Sequence, residues 1–511
     1  MRGIKQGFKQ VNAPDDLLVD SIARLVLPSA RGHRYASDDL ARALFSVVSD
    51  AAPAGEALDV LSAAGPRLWI ELDAAMRPWL FEYGDPRITR APAVHEMSNP
   101  LAVALAACST DGRVREKAVG HPLMISDARL ASVLAVRAVD WAPAVQRKAL
   151  KVLSEVLARP DAAVLEAVVP VTVRLADRRR ADEAVKLIRQ ALLRADDETL
   201  SAVRRCEDLR GRRFAFEVSL AGGRMDERQL ADAALGESDT VSRARCAEAL
   251  AERAIVDNRP ELVEELLGAG SARVRVQAMT TLVRLGRAEA GPRFLADSAS
   301  MTRLIAQWAV RQAGDDPAER YRRQLASPPG LGARGLLAGL GDCGSTADAD
   351  LVLPYLRDPR PRVRAEAVRT LRRLGAQTDL SGLLEDPAPV VVRHVVDAVR
   401  AAGPGVPVER LWVLLGPDRP SHVRQAAHRL LVARDVWTRI RADLSLATDE
   451  DEVLRRRART DLDVWRVRDS ATTYQRCSDE QRIGLLDLLE RAEPAVEERT
   501  ARALRWRLSG S

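Results

Sequence analysis

The chain has 511 residues, several times the usual length of one compact domain, so it is either several domains or one elongated array. Hydrophobic residues make up 47% but aromatic residues only 4%, a balance that suits helices packed closely on helices and argues against a sheet protein, which would want more Tyr, Phe, Ile and Thr. The 78 basic and 72 acidic residues leave +6, too dilute for a strong nucleic-acid binder, while five scattered cysteines without a CxxC pair exclude a disulfide framework or zinc site and fit a reducing cytoplasm.

Residues 1–100 are helical by pattern but aperiodic, with a loop-like segment at 28–39 and a turn region at 82–92, and are expected to form an N-terminal helical cap. The first residues lack the apolar core of a signal peptide, and no run of about 18 uncharged apolar residues occurs, so no membrane contact is expected. From 101 onward repeats begin, weakly at 109–119 and at 139–153 with Asp140 and Arg147. From 236 to 435 they are plain. Arg245, Arg275, Arg303, Arg334, Arg364, Arg393 and Arg424 recur at intervals of 30, 28, 31, 30, 29 and 31 residues.

Inside one unit, Val363, Ala367, Leu371 and Leu374 share a helical face opposite Arg362, Arg369, Arg372 and Arg373. Asp358, Pro359 and Pro361 suit its cap and first turn, and Gly375 its end; Gly286, Gly314 and Gly403 close the equivalent helices. Shorter apolar helices are predicted between them at 259–268, 317–326, 349–358 and 408–416. Residues 436–511 carry longer helices at 448–469, 479–493 and 495–508, which suit a C-terminal helical cap.

An Asp six or seven residues before the Arg, as in Asp239/Arg245, Asp297/Arg303, Asp358/Arg364, Asp386/Arg393 and Asp418/Arg424, resembles the acidic and basic pair of HEAT repeats. The length near 30 is similar to the short variety of phycobilin lyases. The resemblance covers residues 101–435 and implies an all-α fold, an α-solenoid of helix pairs with atypical ends. It implies little about activity. Each Arg is expected to pair with an Asp of its own or the neighbouring repeat and hold the turns together.

The second-helix faces would line a groove. Trp308, Arg311, Arg369, Arg373, His394, Asp397, Gln425, His428 and Arg429 are the candidate partner-binding residues, with Gln307 and Arg372 at neighbouring offsets. The row is mixed in character and is not a basic track for phosphates, so a protein partner is expected, with nucleic acid as the alternative. His394, Asp397 and His428 could in principle meet at a metal, but solvated polar residues on a groove wall account for them better, and no metal or cofactor is expected. His422 is expected to face away from the groove. The run Arg455, Arg456, Arg457 and Arg459 with Trp465, Arg466 and Arg468 mixes basic and aromatic residues, yet the acids at 449–452 make a charge-patterned surface helix the better reading.

No Gly-rich phosphate loop, GxSxG, HExxH or Cys–His arrangement occurs, so no catalytic residue is assigned. The several His-Glu pairs of iron-binding hydroxylases built on such repeats are reduced here to His95-Glu96. The expected function is therefore a non-enzymatic scaffold or adaptor. The alternative is a DNA-binding protein similar to alkylpurine glycosylases built on HEAT-like repeats, for which Asp140 with Trp141, and Trp308 with Arg311, would be the residues to use.

Overall fold

The computed structural model describes residues 15–49, 51–81, 94, 96–326, 332–403 and 405–509. The predicted turn at 82–92, His95 and residues 327–331 lie outside them. Among the described residues every regular element is a helix. The chain divides into two units, Met1–Gly270 and Ser271–Ser511.

In the first unit, helices Asp15–Ala30, Arg34–Val47, Ala51–Ser62 and Arg67–Phe81 pack together around Leu40, Leu44, Leu58 and Trp69. The segment 28–39 is not a loop: only 31–33 stand between two helices, because Gly32 (φ +84°) turns the chain tightly there. Helix pairs follow. Gly112–Val119 packs on Pro143–Val156, then Asp182–Arg194, Leu209–Ala221 and Thr240–Val256 follow in a continuous stack. Each exposes one face and buries the other, so no pair is stable alone.

The second unit repeats this arrangement with Ala272–Arg284, Ser300–Gln312, Ala333–Cys343, Pro361–Arg373, Pro389–Ala402 and Ser421–Leu431, each packed on the next. Val363, Ala367 and Leu371 are buried as their spacing predicts. Burying a leucine of this kind is worth about 1.5–3 kcal/mol. Gly286, Gly314, Gly375 and Gly403 all have φ between +71° and +98°, the left-handed ending read from the sequence. The N-cap of Pro361–Arg373 is Arg360, not Asp358; Asp358 sits two residues earlier and accepts the Arg360 amide at 2.8 Å. Of the shorter helices, Pro317–Ala326 and Val408–Leu415 form as predicted. The segments at 259–268 and 349–358 instead split into one α turn and a 3-10 turn, the latter where Pro354 removes a backbone donor.

The recurring arginines sort by helix register. At the fourth residue of a second helix the guanidinium faces its own turn and the next repeat. Arg364 donates to the carbonyls of Asp358 and Pro359 at 2.8 and 3.3 Å and to both oxygens of Asp386, one repeat on, at 2.7 and 2.8 Å. Arg115 does the same with Ser109, Thr110 and Asp140, and Arg275 holds both oxygens of Asp297. Asp140, Asp297 and Asp386 in turn accept the amides of Ala142, Ala299 and Ala388. The acid thus belongs to the neighbouring repeat, as one of the two expectations had it. Arg424 follows the pattern with Asp449 at 3.0 Å, and Asp418, the acid assigned to it from the sequence, is exposed.

Arg303 also sits fourth but reaches Asp342, at 2.9 Å, in the following second helix. Arg147 and Arg393 are fifth residues, Arg245 a sixth and Arg334 a second. A step of one residue turns a side chain by about 100°. Accordingly all four are exposed, Arg245 and Arg334 reaching only 3.7 Å to Glu217 and Glu366.

At the C-terminal end, helices Val436–Leu446, Glu452–Val464, Asp479–Ala492 and Glu498–Leu508 enclose Trp437, Trp465, Leu485 and Leu504. Trp465 is fully buried, so it adds no aromatic surface to the arginine run. Arg455 donates to the carbonyls of Asp449 and Glu450, Arg459 to that of Ala447, and Arg457 lies 3.6 Å from Asp461. The surface-helix reading holds for these residues.

Candidate functional site

Helix register also decides which predicted groove residues share a surface. Ser300, Pro361, Pro389 and Ser421 open four second helices of the second unit. Their ninth residues are Trp308, Arg369, Asp397 and Arg429, all half-buried. Their eighth residues are Gln307, Val368, Val396 and His428, all buried. Two polar offsets taken from the sequence therefore belong to the core. Gln307 faces the Tyr321 hydroxyl at 3.3 Å and the Gly339 carbonyl at 3.4 Å. His428 places Nε2 2.7 Å from Asp443 Oδ1.

The metal grouping of His394, Asp397 and His428 does not form, because His428 points inward while the other two flank the surface. Around His428 the carboxylates are Asp443 and Asp461. Burial pushes the Asp443 carboxyl up to about 6, against the lowering effect of its bond to His428. Burial, then the charges of Arg369 and Arg393, holds His394 below the ordinary imidazole value.

The surface around the ninth-residue row is charge-matched. Arg369 donates to Glu366 at 3.0 Å, Arg373 to Asp342 at 3.0 Å, and Arg429 approaches Asp397 at 3.5 Å. Two clefts open on it. One of about 370 Å³ is lined by Arg303, Arg334, Glu366, Arg369 and Arg373. In its wall Gly335 lets its helix approach the Ala296 carbonyl, where a Cβ would stand 2.0 Å away. Glu366 is buried there, with its Oε1 unpaired by any hydrogen bond. The second cleft, about 250 Å³, is lined by Val392, Arg393, Val396, His422, Gln425 and Arg429. His422 is part of it, contrary to expectation, with Nε2 3.0 Å from the Asp386 carbonyl. Gln425 bonds the Ser421 hydroxyl at 3.1 Å. Arg311 is exposed, and neither it nor Trp308 lines either of these two clefts. Glu366, Arg303, Arg334 and Arg393 were not among the sequence candidates; only their place relative to the helix starts could have shown them.

Asp140, the acid of the glycosylase-like alternative, has both oxygens engaged. Oδ2 accepts from Arg115 and Arg137 at 3.0 and 2.7 Å, and Oδ1 from Arg115 and the Ala142 amide at 3.0 and 2.9 Å. A carboxylate so held is a turn anchor and has no lone pair free for a water.

The class defined by this architecture is an all-α protein of stacked helix pairs, an α-solenoid. Neither protein-family models nor curated proteins give a match to the chain. Among solved structures it is similar to a chain in a homology model of the full-length AP-3 complex, at 11% identity, covering 98% of this chain and 93% of that one with a TM-score of 0.33. It is similar also to importin beta, at 14% identity, 97% and 68% coverage and a TM-score of 0.30, and to an engineered protein at 17% identity, 80% and 97% coverage and a TM-score of 0.18.

Proposed function

We propose that the chain is a non-enzymatic scaffold or adaptor whose second unit binds a protein partner on the face that carries Trp308, Arg369, Asp397 and Arg429. The observation behind this reading is the charge matching of that face, where Arg369, Arg373 and Arg429 each sit beside an acid. A phosphate track would leave its cations unmatched; alternating charges with half-buried aromatic and aliphatic area suit a polypeptide, which can meet both signs. Arg311, His394 and Gln425 flank this row and belong to the same proposed surface. Residues 1–100 and 436–511 are proposed as end caps of a repeat array at 101–435, since terminal repeats must turn a polar face to water. No disulfide joins the five cysteines among the described residues, which fits a reducing compartment, and the cytoplasm is the one proposed. Among the described residues no helix is long and apolar enough to cross a membrane.

The test is affinity capture with the wild-type chain and with Arg369→Glu, Arg373→Glu, Arg429→Glu combined, with and without nuclease, followed by cross-link mapping. A protein partner that survives nuclease, cross-links to this face and is lost with the triple variant supports the reading. Recovery of nucleic acid alone defeats it.

A further inference from the structure

The first unit holds a cavity of about 590 Å³ whose chemistry differs from the matched face of the second. Its wall combines apolar Ile70, Val136 and Val139 with Trp141 and the consecutive Arg178, Arg179 and Arg180. We propose that this cavity binds a nucleotide, with the base stacked on Trp141 and the phosphate held by Arg178 and Arg179. The proposal goes beyond the scaffold reading and concerns different residues.

Trp141 is 63% exposed, whereas Trp69 in the same unit is buried. An indole left open to water needs a reason, and its mounting supplies one. The Arg115 guanidinium lies over the ring, 5.3 Å from its centroid, and Arg115 is itself fixed by Asp140 and by the carbonyls of Ser109 and Thr110. The ring is therefore held in place before any ligand arrives, so stacking on it costs little ordering entropy.

The charge around it is uncompensated. Arg178 and Arg179 are exposed and form no ion pair among the described residues, and Arg180 meets only the neutral Gln146, at 3.3 Å. The two acids in the wall, Asp73 and Asp140, are both ion-paired with Arg137. Arg137 is 1% exposed, and its Nε–H is buried without a hydrogen-bond partner. Asp177, Asp182 and Glu183 flank the triplet in sequence, yet none pairs with it among the described residues. The site thus offers a pre-set aromatic plane and, across an apolar wall, a cluster of free guanidinium groups that match a phosphate in geometry and charge. A nucleotide carries both features on one frame. An acidic peptide would satisfy the arginines and leave the indole unused.

The experiment is fluorescence anisotropy of a labelled single-stranded thymidine oligonucleotide of about 12 residues, at low salt, with AMP as unlabelled competitor. Stacking on an aromatic side chain is worth about 1–3 kcal/mol, so Trp141→Ala is expected to weaken binding about 5- to 150-fold. Arg178→Glu with Arg179→Glu is expected to abolish it. Arg456→Glu with Arg457→Glu, on an exposed helix face of the second unit, is expected to leave it unchanged. Displacement by AMP assigns the cavity to a single nucleotide; oligonucleotide binding that AMP does not displace assigns it to a strand. No binding of either probe, wild-type affinity in the Trp141 and Arg178/Arg179 variants with unchanged melting curves, or equal displacement by polyglutamate would each overturn the proposal.

Discussion

Removing one rung of the arginine ladder, by Asp386→Ala, is expected to loosen the stack locally by far more than removing an arginine that missed the register. Arg364 and Asp386 have side chains 11% and 4% exposed and share two charge-assisted bonds of 2.7 and 2.8 Å. Loss of the carboxylate leaves the guanidinium largely buried without its anion, which costs about 3–5 kcal/mol. The bond from the Ala388 amide, at 2.8 Å, is lost as well and adds about 0.5–2 kcal/mol. Because neighbouring repeats contribute stability pairwise, the effect should concentrate in Pro361–Arg373 and Pro389–Ala402. The assay is hydrogen–deuterium exchange with peptide resolution. A combined loss of about 3.5–7 kcal/mol in the local opening free energy corresponds to about 300- to 100,000-fold faster exchange in those two helices. Arg393→Ala, an exposed fifth residue, should change exchange by less than about threefold, which is about 0.5 kcal/mol. Equal effects of the two substitutions would refute the register argument.

Gly335→Ala, despite the better helix propensity of alanine, should lower the melting temperature, because the new Cβ would stand 2.0 Å from the Ala296 carbonyl oxygen; Gly484→Ala, within Asp479–Ala492 and open around its Cα, should raise stability by about 0.5–1 kcal/mol in thermal melts. Burial raises the Asp443 carboxyl from the ordinary 3.8 to about 6, so the native state holds its proton more tightly than the unfolded chain and stability falls as pH rises from about 4 to about 6. Asp443→Asn removes that slope, and its stability relative to wild type, followed by denaturation at pH 4, 5 and 7, should improve with pH by about 2–3 kcal/mol; a constant difference would contradict the burial of the carboxyl. Leu371→Ala should destabilise by about 2–5 kcal/mol in the same assay.

The repeat period, the helix-ending glycines and the apolar faces were all legible in the sequence because they depend on spacing within one helix. What was not legible depends on where a helix starts. The intervals between Arg364, Arg393 and Arg424 differ by only two residues, yet Arg393 lands on the fifth helical position and faces water. The same uncertainty moved His428 and Gln307 from the core to the surface. A polar residue in the column of Val368 and Val396 should have prompted a search for a buried partner, and Asp443 is that partner for His428. The cavity beside Trp141 brings together a helix end, a turn and Arg137 from segments up to about 110 residues apart, a convergence that local pattern does not encode.

Rungs that are missing have a mechanical meaning. Arg303, Arg364 and Arg424 each tie a repeat to the next through a largely buried acid, whereas Arg334 stands 3.7 Å from Glu366 and Arg393 is exposed, so those two joints rest on apolar packing and on the partly exposed Arg373–Asp342 and Arg429–Asp397 pairs. A partly exposed ion pair is worth less than a buried bidentate one, so these two joints are the weaker ones. Both clefts of the proposed binding face lie at these weaker joints, one lined by Arg334 and the other by Arg393. A partner seated in either cleft would therefore bridge two helices where the side-chain ladder is thinnest, and its binding should slow hydrogen exchange in both.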